Sequence, residues 1–309
     1  MSTARLFGQV AQVFGILIAG AGTAQAFCDY NQPSASISVQ SAGSPAGVQV
    51  GIAHISVSAT AGTLRNPSTP NCSSYSSTSE YVYINNRLIG YGSVNWNTAE
   101  VPDGVHYVRV DVTDSNGGRA SAQQQIVVRN NWVRGEVYNH GDYLALNPDV
   151  ANAFGGDPSR TISHWLYYGI REGRQANFTF SSIEYLEGYG DLMAAFGMNP
   201  TSAIDHFIVY GLREGRVGVH ALRPEVFNVH YYYAIHGDLQ AAFPGNVPAL
   251  ERHWAQYGIN EGRRSKEDFS VTTYMQRHGD LQGAFGATNY RAGARHFIQY
   301  GIREGRSGI

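Results

Sequence analysis

The chain has 309 residues, 43% hydrophobic and 15% charged, with a formal net charge of −2. That is a globular composition, long enough for two or three domains with cores of their own. There is no basic field that would favour nucleic acid or an anionic membrane, and Lys266 is the only lysine.

Arg5 precedes an apolar stretch, Val13 to Gly22, that is too short to span a bilayer stably. Ala24-Gln25-Ala26 follows as an A-x-A cleavage site. Residues 1–26 are therefore expected to be a signal peptide. The mature chain would start at Phe27 and reach the periplasm, cell surface or medium with no transmembrane segment. Phe27 argues against lipoprotein processing at Cys28, which needs a small residue before the cysteine. In an oxidising compartment Cys28 and Cys72 are expected to pair. The bridge would pin the N-terminus to a Ser/Asn/Pro-rich loop, worth about 3–4 kcal/mol by the chain-entropy estimate.

Residues 27–130 read as β. Ser36 to Val39 and Val48 to Ala59 alternate. Tyr81 to Tyr91 reads as strand, Asn-Asn turn, strand. Tyr107 to Val112 alternates strictly, with Val108, Val110 and Val112 on one face, and Gln123 to Val128 closes the set. Such spacing predicts an antiparallel sandwich, with Trp96 a candidate core aromatic. Asp111, Asp114 and Asn116 are hard oxygen donors close in sequence, so calcium is weighed against ordinary turn chemistry, and the turn is preferred. The order Trp96-Asn97-Thr98, Val101-Pro102-Asp103-Gly104, the strand His106 to Val112 and the turn Asp114 to Gly117 resembles bacterial Ig-like domains of secreted and surface proteins. The resemblance implies an Ig-type sandwich acting as spacer or binding module, without catalysis. Gly118 stands where the family's turn usually has Asn, which is expected to change little.

Past Asn130-Asn131 the period becomes helical. Residues 131–309 hold four copies of one pattern, at about 138–174, 180–216, 227–263 and 269–306. Their marker aspartates are Asp149, Asp191, Asp238 and Asp280, spaced 42, 47 and 42 residues apart. Each copy also holds a histidine (His164, His206, His253, His296) followed by Trp or Phe. A Tyr-Gly pair comes next, with Gly169, Gly211, Gly258 and Gly301, and then Glu-Gly-Arg. Each unit is expected to be a helical pair. The first helix is interrupted by Gly-Asp or Pro-Asp, with the Asp as N-cap of the restart. The second carries the His-aromatic pair and an apolar stripe such as Leu250, Trp254 and Tyr257. The Gly after Tyr is expected to stop that helix at positive φ, with Ile170, Leu212, Ile259 or Ile302 folding back as the next hydrophobe. The Glu and Arg that follow are free to pair with each other or with a neighbouring unit.

A histidine beside Asp and Glu has the chemistry of a metal ligand or general base. Four identical constellations are redundant for catalysis, so each His is read as a structural hydrogen-bonding residue, and no catalytic, cofactor or metal residue is assigned. The copies resemble tandem repeats of assorted secreted and surface-associated bacterial proteins, a likeness that implies no catalytic residue. The expected protein is multidomain, a β-sandwich followed by an α-helical tandem repeat. It is read as an exported, non-enzymatic binding or scaffold protein engaging a cell-surface glycan or an envelope protein. The rivals are a polysaccharide or cell-wall hydrolase, with Glu184, Glu187, Asp205, Glu225, Glu251 and Asp268 available as acids, and a calcium-dependent surface protein. Repeated aromatics are expected in the core, and the unmatched Tyr167, Tyr231, Tyr233 and Tyr290 at a ligand surface.

Overall fold

The computed structural model describes residues 29–41, 44–65 and 77–309. The expected signal peptide and both cysteines, Cys28 and Cys72, lie outside the described residues.

Ten strands form the first part: β1 (Asp29–Asn31), β2 (Ser34–Ser41), β3 (Val48–Gln49), β4 (Ile52–Thr60), β5 (Thr63–Arg65), β6 (Thr78–Ile84), β7 (Arg87–Tyr91), β8 (Val94–Asn97), β9 (Gly104–Asp114) and β10 (Arg119–Val128). One sheet runs β3-β10-β9-β6-β7, a second β2-β4-β8, and β1 pairs with β5. All these pairings are antiparallel except β3 with β10. Alternation decides which face is inside. Val108, Val110 and Val112 of β9 are buried and meet Val39, Ile55 and Trp96 from the smaller sheet, so the two sheets form a sandwich with one core. The Asn85-Asn86 turn takes positive φ at both residues (48° and 69°), as a tight hairpin with right-handed strand twist requires.

Twelve α-helices follow among the described residues, three per unit: α1 (His140–Leu146), α2 (Pro148–Phe154) and α3 (Pro158–His164); α4 (Ser182–Gly188), α5 (Gly190–Phe196) and α6 (Pro200–His206); α7 (Val229–Ile235), α8 (Gly237–Ala242) and α9 (Val247–His253); α10 (Val271–Arg277), α11 (Gly279–Phe285) and α12 (Tyr290–His296). The interruption of the first helix is thus complete. Side-chain caps begin the first helix of each unit (Asn139, Ser181, Asn228, Ser270) and the third (Asp157, Asn199, Asn246, Asn289). The repeated Asp is not a cap. Asn147, Tyr189, His236 and His278 hold the N-cap position of the middle helices, and the Asp is the second residue of the first turn, where a negative charge suits the helix dipole.

The third helix of each unit continues into a π-turn: Trp165–Gly169, Phe207–Gly211, Trp254–Gly258 and Phe297–Gly301. Gly169, Gly211, Gly258 and Gly301 are absent from the positive-φ residues, so the expected stop is not there. The stop falls at the glycine of Glu-Gly-Arg. Gly173, Gly215, Gly262 and Gly305 have φ of 67–69°. The following Arg N–H donates to the carbonyl five residues back, and the Gly N–H to the one three back, which is the Schellman arrangement. The Tyr-Gly glycine has another reason to be small. A Cβ on Gly169, Gly211, Gly258 or Gly301 would collide with the hydroxyl of Tyr143, Tyr185, Tyr232 or Tyr274.

The four units pack as two pairs. Residues of the first two share one core with Val50 of the sandwich, and residues of the last two share another. A short turn leads each pair, Asn130–Val133 and His220–Leu222. The indoles of Trp165 and Trp254 each donate to a carbonyl in that turn, of Trp132 and Ala221, both 33 residues earlier. Pairing corrects the expectation for the hydrophobe after Tyr-Gly. Ile170 and Ile259 are buried at 1%, whereas Leu212 and Ile302 are 40% and 47% exposed.

Candidate functional site: an aromatic surface and an inter-pair cavity

The repeated polar residues are spent within their own units. Tyr143, Tyr185, Tyr232 and Tyr274 are fully buried, and their hydroxyls are hydrogen-bonded to Nδ1 of His164, His206, His253 and His296 at 2.8, 2.9, 3.0 and 2.9 Å. Burial pushes the Tyr274 hydroxyl up to about 12, so it remains a donor. A neutral imidazole with its proton on Nε2 accepts that bond. Burial, then the nearby Arg263 and Arg306, hold His253 and His296 below the ordinary imidazole value.

The Glu-Gly-Arg arginine joins the start of the middle helix to the end of the third. Arg174 binds Asp149 (2.9 Å) and Glu172 (2.5 Å), and Arg216 binds Asp191 (2.8 Å) and Glu214 (2.5 Å). Arg263 binds Asp238 (2.7 Å) and Glu261 (2.6 Å), and Arg306 binds Asp280 (2.8 Å) and Glu304 (2.6 Å). The guanidinium hydrogen bonds hold all four aspartates below the ordinary carboxylate value. The charges pair within the unit.

The exposed aromatic surface departs from the expectation at one repeated position, while the other repeated tyrosines and the Trp or Phe after each histidine are buried and Tyr167 is 39% exposed. The repeated Tyr168, Tyr210, Tyr257 and Tyr300 are 58%, 52%, 49% and 51% exposed. Each ring rests on the histidine of its unit, with centroids 5.4–5.7 Å apart. The π-turn explains why. One extra residue in the turn moves burial from the expected Trp254 and Tyr257 stripe to Trp254, Ala255, Gly258 and Ile259, and turns Tyr257 outward. The unmatched tyrosines are largely engaged elsewhere. Tyr167 donates to the Ser44 carbonyl at 2.9 Å, docking the first unit against the sandwich. Tyr231 is half-buried beneath the Arg264 guanidinium, 5.7 Å from its centroid. Tyr233 and Tyr290 pack on the core of the second pair.

The turn in the sandwich is similarly committed. Asp114 accepts from Gly62 N–H (3.0 Å), Asn116 N–H and Gly118 N–H (both 2.9 Å) and from the Tyr30 hydroxyl. Asp111 accepts from Ser121 and pairs with Arg109. Among the described residues no group of three or more His, Cys, Asp or Glu is placed to hold a metal. Gly118 matters more than expected, because a Cβ there would collide with Tyr30.

A half-open cavity of about 480 Å³ lies on the second pair of units where Glu184 of the first pair meets it. Its wall holds Glu184 of α4, His220 of the leading turn, Phe285 of α11, Arg291 and Arg295 of α12, and Tyr300. Burial acts to raise the Glu184 carboxyl, but the nearby ring and the backbone N–H of His220, together with the Arg291 guanidinium, outweigh it and leave the group below its ordinary value. Glu184 is the one carboxylate among the described residues that line the cavity, so no acid pair of the glycosidase kind is set there. Of the other acids considered for hydrolysis, Glu187 pairs with Arg295, Glu225 with Arg223 and Asp268 with Lys266. Burial raises Asp205 and Glu251.

The chain matches no family model and no curated protein. Among solved structures it is similar to the PKD1 domain of Vibrio anguillarum Epp, at 12% identity and a TM-score of 0.25, over 33% of this chain and 99% of that one. Among the described residues no helix is long and apolar enough to cross a membrane.

Proposed function

We propose that the protein is an exported, non-enzymatic binding or scaffold protein of the bacterial envelope or surface. In this reading residues 27–130 form a spacer domain and 131–309 a domain that engages a glycan. The observation that carries the reading is the recurrence of one exposed tyrosine at the same place in all four units, each ring seated on a histidine. A fixed aromatic face offers a sugar ring a flat apolar surface at little cost in side-chain entropy. Four such faces on one chain allow weak contacts to add along a polymer. The commitment of the repeated His, Asp, Glu and Arg to bonds within each unit supports a scaffold role for them.

Retention of the mature protein on envelope polysaccharide tests this. Saturable binding without product is expected. A variant with Tyr168, Tyr210, Tyr257 and Tyr300 all changed to Ala should fold and lose retention. Release of sugar from the polymer would overturn the non-enzymatic reading. Retention on envelope protein alone, with none on polysaccharide, would overturn the glycan.

A further inference from the structure

The cavity between the pairs is where the copies differ. Asp142 and Glu184 hold matching places in the first two units, three residues after their N-caps, Asn139 and Ser181. Each accepts a backbone N–H from a residue 36 positions on, Phe178 at 3.1 Å and His220 at 2.7 Å. His220 therefore stands where the first junction has Phe178.

The exchange replaces an apolar filler with a polar ring that is 4% exposed and has no hydrogen-bond partner on either nitrogen. Its Nδ1 lies 3.3 Å from Glu184 Oε2, outside bonding geometry. A buried polar group left unpaired is costly, so a site that keeps one invites a ligand to satisfy it. Arg291, half-buried on the same wall, donates to the Ala255 carbonyl and forms no ion pair among the described residues. Of the two lining arginines, Arg295 is neutralised by its ion pair with Glu187 beside the cavity, which leaves Arg291 set against Glu184. Phe285 and Tyr300 form its aromatic edge, at 36% and 51% exposed.

A lining with donors, an ionised acceptor, no excess charge and an aromatic edge suits a neutral molecule dense in hydroxyl groups. We propose that this cavity binds one neutral sugar ring, with Glu184, His220 and Arg291 hydrogen-bonding its hydroxyls and its face set against Phe285 and Tyr300. The inference rests on the glycan reading and gives that glycan a specific anchoring point. A volume of about 480 Å³ is within the range of small-molecule sites.

Calorimetric titration of the mature protein with neutral hexoses, N-acetylhexosamines and their disaccharides tests the proposal, with hexuronates as charged controls. At least one neutral sugar should bind saturably. His220→Phe, which installs the residue of the first junction, should melt at or above the wild-type temperature and weaken that sugar tenfold or more. Glu184→Gln should weaken it as well. No binding by any neutral sugar, unchanged affinity in His220→Phe, or binding of hexuronates alone would each overturn the inference. Polysaccharide retention measured on the same variants separates the two ideas. If wild type and His220→Phe are both retained on polymer and no small sugar binds, the cavity proposal falls and the glycan reading stands. If no polysaccharide is retained at all, the glycan reading falls with it.

Discussion

Arg252 reaches back 110 residues in the sequence to fork over the carboxylate of Asp142, Nη1 lying 2.5 Å from Oδ2. The pair links the third unit to the first, and Arg295 with Glu187 links the fourth to the second at 2.9 Å. Asp142 is 2% exposed and also accepts the Phe178 N–H.

Removing the cation strands a buried carboxylate. Arg252→Met should therefore destabilise the helical region by about 2 kcal/mol, below the 3–5 expected for a fully buried pair because Arg252 itself is half-exposed. Arg295→Met, at a more exposed pair, should cost about 0.5 kcal/mol. Urea denaturation of the two variants checks the order, and equal losses would contradict it.

Gly211→Ala should destabilise by about 1–3 kcal/mol although its φ is ordinary, because the added methyl meets the Tyr185 hydroxyl. Tyr185→Phe in the same chain should recover part of the loss. A left-handed strain at Gly211 would give no such recovery, so the double-mutant cycle decides between the two causes. Gly215→Ala, at φ 68°, should cost about 1–2 kcal/mol with no dependence on Tyr185.

Stability should fall in two stages as pH drops. His253 and His296 titrate below their ordinary value near 6.5 in the folded chain. Above that pH both states hold neutral rings and the contribution is complete. Below it the unfolded chain takes up protons first, so stability is lost down to the folded values. The four repeated aspartates contribute above their ordinary value of 3.8, and that part is lost as pH falls through their lowered values. Urea midpoints at pH 8, 5 and 3 should show both losses, and His253→Gln should shrink the first.

A fragment of residues 131–309 should melt below a chain of residues 27–309. It lacks Val50, which is 7% exposed in the first helical core, and the Ser44 carbonyl that Tyr167 binds. It also lacks Asp103, which accepts the Asn130 and Asn131 N–H groups at 2.8 and 3.0 Å. Equal melting temperatures would mean that these contacts do not stabilise the helices.

Much of this fold is legible in period alone. Val108, Val110 and Val112 alternate and are buried, Asn85-Asn86 turns, and Trp96 is in the core at 2% exposure. The helical units are equally plain from the spacing of their aromatics. The exposed surface was hidden because a 3.6-residue period assigns Tyr257 to the buried stripe, and only the π-turn rotates it out. The true helix stop was written in the sequence as the Gly of Glu-Gly-Arg, but the Tyr-Gly glycine competes with it until Tyr143 is seen pressed against Gly169. The cavity could be suspected only as a place where copies diverge, since His220 lies in the longer connection between the second and third units and its equivalence to Phe178 depends on hydrogen bonds far apart in sequence.

The pairing of units sets a parity rule. An odd unit buries its isoleucine and needs a following partner, while an even unit closes with its Leu212 or Ile302 facing solvent. Chains of this kind should therefore lengthen or shorten by two units at a time, because a fifth copy appended alone would leave its seam open to water.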